Sequence, residues 1–362
     1  AHLNVLTVEI GERPAGSPAH HRAESYIRAV LQSAGLSLDE VRLDFPHWSL
    51  VDAALSLNGA ALALDVNPFS PACELTAPLL PLSTLPELEA ADLRGRIALL
   101  YGDLSKSPIF PINFEPVQFE RDQAINRLLI EKSPAAVLAV NLHPWRRVHI
   151  FEDEDFTLPS ATVNVTVGRE LLAHPEAAVH LRIDARTRPS HVATLIGRTP
   201  GDHAQRVVLC AHYDTKIGTP GAFDNGGGMA TVLALAETLP QLGLPIGLEF
   251  IAFADEEYGA HTDGAYVRRF GADFERILCA INLDGIGLLP ENNTITALAQ
   301  SEAFEQVLHQ VRARHPQVIW VDPWVQSNHS TFAMRGVPSV PLTSVSWERA
   351  HQSDDSMDWV NP

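Results

Sequence analysis

VVLCAHYDTKIGTPGAFDNGGGMATVLALAETL, residues 207–239, reads as a strand, a glycine-rich loop and a helix in direct succession. The apolar run VVLCA suits a strand buried on both faces, and MATVLALAETL is long and apolar enough for a packed helix. Between them the chain places His212 and Asp214, which share one side of a strand end because residues i and i+2 point the same way. Asp224 follows at or near a helix N-terminus, among glycines that allow backbone to approach closely. Taken alone, Asp224 is equally well read as a plain helix cap.

The same order of strand and helix extends outward from this stretch. VATLIG (192–197), IGLEFIAFA (246–254) and ILCAINL (277–283) read as further strands. Residues 225–239, 261–270, 301–314 and 328–335 read as helices, as do 19–35, where Ala23, Ile27, Val30 and Leu31 recur at helical spacing before Gly35. This alternation predicts an α/β fold: a mostly parallel mixed sheet with helices on both faces. Residues 46–189 have a different texture, with frequent proline and short segments. There RIALLY (96–101) and AAVLAV (135–140) bracket a helix near 120–132. The expected organisation is one domain from 1–45 with 190–362, and a smaller inserted unit, α/β or β-rich, over 46–189.

Further polar residues sit where strands end. Glu256-Glu257 closes the apolar LEFIAFAD, and a buried carboxylate pair is costly unless something pairs with it. One can bind metal while its neighbour faces the water that the metal activates. Asp284 ends INLD in the same way, and His351 lies in the late loop WERAHQSDDS, ahead of Asp355. Each segment alone fits a solvated loop. Together they gather on one rim of a parallel sheet, where α/β proteins bind ligands. Imidazole and carboxylate donors without thiolate suit catalytic zinc. Asp224, Asp284 and Glu257, with a bridging hydroxide, balance two divalent ions. Asp214 is read as the carboxylate that fixes the tautomer of His212.

The net charge of −18 argues against nucleic-acid or anionic-membrane partners. The three cysteines, Cys73, Cys210 and Cys279, are too few and too scattered for a disulfide framework or a thiolate zinc site. No apolar run is long enough to span a membrane. The opening AHLNVLTVEI is neither a signal peptide nor a start methionine, which suggests a removed leader and leaves the compartment open.

ERPAGSPAHHRAESYIRAVLQSAG, HYDT, GAFDNGGG, EEYG, INLDG, SNHSTFAMRGVPS and HQSDD, in this order, resemble the di-zinc aminopeptidase family that includes bacterial leucyl aminopeptidases, glutamate carboxypeptidases and glutaminyl cyclases. The resemblance covers residues 9–37 and 190–362. The region between, with GRIALLYGD, AAVLAVN and DFTLPSATVNVTVGRELL, resembles an inserted protease-associated domain. The resemblance implies two zinc ions, with His212 and Asp284 on the first, Glu257 and His351 on the second, and Asp224 bridging. It implies Glu256 as general base and Asp214 as the orienting carboxylate. The activity implied is release of N-terminal residues from peptides with a free amine, by attack of a metal-bridging hydroxide.

Three positions depart from the family pattern. Ala350 stands where a tyrosine often helps hold the oxyanion, which directs attention to Tyr258 and Tyr213 as replacements. Thr262-Asp263 replaces Gly-Ser, and Ser327-Asn328-His329 replaces Ser-Asp-His. Rival readings are a carboxypeptidase or dipeptidase using Arg349 as a carboxylate clamp, a glutaminyl cyclase, and a non-catalytic receptor-like module.

Overall fold

Four parallel strands form the centre of the larger unit: Ser339–Ser344, Ile277–Leu283, Arg206–His212 and Gly247–Phe253, in that spatial order. The computed structural model describes residues 1–113 and 119–361. By its internal contacts the chain divides into Ala1–Phe45 with Ser190–Pro362, and Pro46–Pro189.

Every residue of Gly247–Phe253 is buried, as are the last five of Arg206–His212. Strands covered on both faces need nearly continuous apolar runs, and these sequences supply them apart from Glu249, whose buried carboxylate pairs with Arg198 and Arg206. The sheet continues beyond Ser339–Ser344 through the antiparallel Asn293–Ile295 and then Ile319–Trp320. On the other side, residues 195–198 pair antiparallel with Gly247–Phe253. The sheet is therefore mixed, with a parallel centre, and helices accompany it.

Pro18–Ser33 starts cleanly because the Ser17 side chain accepts from the backbone N–H of His20 and proline occupies the first turn. Val208, Cys210, Ile251, Phe253, Tyr266 and Phe332 share one core. Fully burying one such apolar side chain contributes roughly 1.5–3 kcal/mol.

The expected strands and helices fall close to their observed positions, and Ile277–Leu283 and His261–Phe270 coincide with them. Ser339–Ser344 was not expected. Its sequence, SVPLTS, carries Pro341, a residue that argues against a central strand. Pro341 is accommodated opposite Asn282, and its carbonyl still accepts from Thr296 N–H at 3.3 Å.

Pro46–Pro189 has its own sheet and core. Cys73–Leu82, Ile97–Leu100, Ala136–Val140 and Ser160–Val163 run parallel, and Asp65–Val66 closes one edge antiparallel. Three helices, Leu85–Ala90, Glu120–Lys132 and Val165–Ala173, accompany them, which makes this unit α/β. Leu82, Leu100, Leu129, Val137 and Phe151 lie in its core. Among the described residues, no helix is long and apolar enough to cross a membrane.

Candidate metal centre

Parallel strands deliver their C-terminal ends to one rim, and the chemistry collects there. His212 is the last residue of its strand, Asp284 directly follows Leu283, and Glu256 and Glu257 form a short turn after Phe253. Asp224 and His351 reach the same rim from loops. His212, Asp214, Asp224, Glu257 and Asp284 are buried, and Glu256 and His351 are partly exposed.

Asp224 stands at the middle. Its Oδ1 lies 3.2 Å from His212 Nε2, and its Oδ2 lies 3.0 Å from His351 Nε2. His212 Nε2 is also 3.3 Å from Asp284 Oδ1, and His351 Nε2 is 3.2 Å from Glu257 Oε2. The two oxygens of one carboxylate thus face two separate imidazole–carboxylate pairs. Donor atoms of His212, Asp224 and Glu257 all lie within 4.8 Å of one another. Glu256 Oε2 is 4.0 Å from His212 Nε2.

The reading of Asp224 as a helix cap does not hold, because the helix begins at Gly227 and a neighbouring side chain takes its first-turn N–H. The neighbouring Asn225 serves that helix, accepting from Gly228 N–H at 3.1 Å and donating to the Leu283 carbonyl at 2.9 Å. A Cβ on Gly228 would lie 2.2 Å from both Asn225 Oδ1 and the Leu283 carbonyl. Glycine there lets the helix start press against the strand end that carries Asp284.

Two carboxylates hold the ligand loops. Asp214 accepts from the backbone N–H groups of Glu256 (3.2 Å) and Glu257 (3.1 Å), and its Oδ1 is 3.3 Å from His212 Nδ1. Asp355 accepts from Phe223 N–H (2.7 Å) and Asp224 N–H (3.1 Å). Arg13 completes the frame and was not singled out in the sequence. Its fully buried guanidinium donates to the carbonyls of Leu6, Gly11, Tyr213, Pro220 and Gly221. The residues before Asp224 therefore give their carbonyls to Arg13 and their N–H groups to Asp355.

Burial would depress the pKa of His212, but Asp284, Asp214 and Asp224 outweigh it and hold the ring well above its usual value. His351 behaves alike: burial opposes, and Glu257 and Asp224 prevail. Asp224 is pulled down, because hydrogen bonds from both histidines overcome its burial. Burial raises Glu256 well above the usual range, with Asp284, Glu257 and Asp224 adding to it against the pull of His212. So much buried negative charge demands cations. Glu257 Oε1 is buried with no hydrogen-bond partner, and the donors are hard oxygens and imidazole nitrogens. This set fits zinc in a catalytic setting.

Of the two hydroxyls considered for the oxyanion, that of Tyr213 gives its proton elsewhere. Tyr213 is fully buried and donates to the Ala193 carbonyl at 2.9 Å, and Tyr258 accepts from Ile217 N–H at 2.7 Å. Arg349 pairs with Asp354 and lies over the Trp359 ring, 3.6 Å from its centroid. The remaining two departures meet each other. Asp263 accepts from Asn328 Nδ2 at 3.1 and 3.0 Å, and from Thr331 Oγ1 at 2.5 Å. A carboxylate and a neutral partner are both present, with the carboxylate at 263 and not at 328. A separate cavity of about 240 Å³ opens near Arg206 and Gly247, where two central strands begin, and contains none of these residues.

Residues 192–362 match the family model described as peptidase family M28. Aminopeptidase YwaD of Bacillus subtilis (strain 168) is 24% identical over 291 residues, covering 79% of this chain and 60% of that protein. The probable leucine aminopeptidase 2 of Aspergillus fumigatus is 25% identical over 287 residues, covering 76% and 54%. The chain thus spans between about half and three fifths of the length of these curated relatives. Among solved structures, BSAP, a zinc aminopeptidase from Bacillus subtilis, superposes with a TM-score of 0.81 at 22% identity, over 99% of this chain and 89% of that one. At that identity the likeness speaks for the fold.

Proposed function

From the match of residues 192–362 to peptidase family M28, we propose that the protein is a metallo-aminopeptidase with two zinc ions. The observation that carries this reading is the division of Asp224, with one oxygen toward His212 and Asp284 and the other toward His351 and Glu257. Each half then has an imidazole, a carboxylate of its own and a share of Asp224. Zinc, when bound, supplies a Lewis acid and lowers the pKa of water.

The chain's own residues perform the remaining tasks. Asp214 sits at the Nδ1 side of His212, leaving Nε2 to face the centre, and through its two backbone acceptances it sets the turn carrying both glutamates. Glu256, partly exposed beside the cluster, takes the proton from water at its carboxylate and returns it to the leaving amine. Its Oε2, 4.0 Å from His212 Nε2, puts a carboxylate beside the cluster to take and return that proton. Asp355 and Arg13 keep the Asp224 loop in place.

The substrate is a peptide with a free N-terminus. The chain's net charge of −18 attracts an α-ammonium and disfavours a terminal carboxylate. The carboxypeptidase reading needed Arg349, which is already committed to Asp354 and Trp359. The aminopeptidase names of the relatives support this reading. For Pro46–Pro189 we propose a protease-associated domain, on the sequence resemblance and on its separate core.

A dipeptide compared with its N-acetyl and C-amide forms tests the function. N-acetylation is expected to abolish hydrolysis and amidation to leave it intact, and Arg349→Ala to change the rate within about twofold, as for most surface substitutions. Cleavage of the N-acetyl form with no cleavage of the amide would replace this reading with a carboxypeptidase.

A further inference from the structure

The cavity of about 240 Å³ lies at the end of the sheet opposite the metal-binding rim, where the central strands begin. Arg206 is the first residue of Arg206–His212, and Gly247 opens Gly247–Phe253. Arg276 directly precedes Ile277–Leu283, and Arg198 ends the antiparallel neighbour. All three arginines line the cavity, together with His203. A Cβ on Gly247 would lie 3.0 Å from His203 Cβ and 3.2 Å from Arg206 Cβ, so glycine there leaves both side chains their places.

What Arg206 lacks points to a ligand. Its side chain is only 12% exposed. Its Nε stands 2.8 Å from Glu249 Oε2, off the direction of a hydrogen bond, and is buried with no other partner. Among the described residues, Glu249 is the only polar partner of this guanidinium, which carries five N–H donors. Glu249 cannot fill them. Its fully buried carboxylate also accepts from Arg198 Nε at 2.6 Å and from the Tyr266 hydroxyl. Glu249 therefore aims two guanidinium groups and neutralises one charge of the two. Arg198 meets Asp39 as well, at 3.8 Å, and Arg276 donates to Asp202 and to the carbonyls of His203 and Ala204. The two acids of the lining, Asp202 and Asp273, are exposed, and water screens their charge. A nearly buried N–H donor without an acceptor is costly. Guanidinium forks match the paired oxygens of a phosphate-like anion.

We propose that this cavity binds a small tetrahedral oxyanion of the phosphate and sulfate class, with Arg206 as its anchor and Arg198 and Arg276 beside it. The bound ion ties together the starts of Arg206–His212 and Ile277–Leu283. It acts on the sheet at the end away from the metal centre and takes no part in the reaction there.

Equilibrium dialysis of radiolabelled sulfate against the full zinc-loaded chain, at constant ionic strength, tests this. Saturable binding is expected, half-complete at roughly millimolar sulfate, the strength of two or three charge-assisted hydrogen bonds. Arg206→Gln and Arg276→Gln should each weaken it by about tenfold or more. Arg276 is 40% exposed and its acid partner Asp202 is almost wholly so, which makes Arg276→Gln the safer variant for the fold. Arg127→Gln removes the same charge from an exposed helix position and should leave binding within about twofold of the wild type. Inorganic phosphate should displace the sulfate. Displacement by glycerol phosphate as well would show that the site takes a phosphate group carried on a larger molecule, and displacement by inorganic phosphate alone that it takes the free ion. Absence of saturable sulfate binding overturns the proposal. So does binding that a folded Arg206→Gln or Arg276→Gln protein retains at wild-type strength.

Discussion

The two histidines of the centre stand in opposite circumstances. His212 ends a central strand, is fully buried, and has Asp214, Asp224 and Asp284 within 3.3 Å. His351 hangs from a loop, its side chain is 41% exposed, and its backbone takes φ +65°, a left-handed value that non-glycine residues adopt at a cost. One half of the centre is set by the sheet and the other by a loop folded over it. A strand end gives rigid placement, while a loop gives access and room to adjust.

The shared residue gives the strongest test of that contrast. Asp224→Ala should remove zinc from both halves and reduce turnover to background, read by metal analysis and by rate. Full zinc retention in this variant would mean that the two halves do not meet at Asp224. Next in size is Glu256→Gln, which should lower turnover by about 10²–10⁴ while zinc content barely changes. An active variant, or one stripped of zinc, would exchange the roles of Glu256 and Glu257. The smallest effect concerns stability without metal, measured by urea unfolding in a chelator. His212→Ala leaves buried carboxylates without their imidazole and should cost roughly 3–5 kcal/mol. His351→Ala, at a half-exposed loop position, should cost under about 1 kcal/mol. Equal costs would erase the distinction between a strand-set half and a loop-set half.

Much of the fold was legible because buried parallel strands need nearly continuous apolar runs, and LCA, LEFIAFA and ILCAINL are such runs, interrupted only by Glu249 and Asn282. Ser339–Ser344 escaped because Pro341 imitates a breaker, although its carbonyl still serves the sheet. Individual motifs of the centre were ambiguous. Asp224 was as good a cap as a ligand until Asn225 was seen taking the helix N–H. Arg13 lies in the ERPAGSP stretch that carries the resemblance, but its role was unmarked, since its partners are backbone carbonyls, which sequence patterns do not reveal. The departures at 263 and 328 looked unrelated, because nothing in a linear chain shows that a helix start and a distant loop will share one hydrogen-bonded pair.

The brace around Asp224 has a consequence in time. Arg13 and Asp355 hold opposite sides of the same few residues, yet they stand far apart along the chain. Contacts between such distant residues form late, because the intervening chain must first be ordered. Strands that end in His212 and Asp284 can pair before the brace exists. The brace is therefore expected to close after the strands that end in His212 and Asp284 have paired, which pulse-labelled exchange of the Asp224 N–H against the strand amides would show.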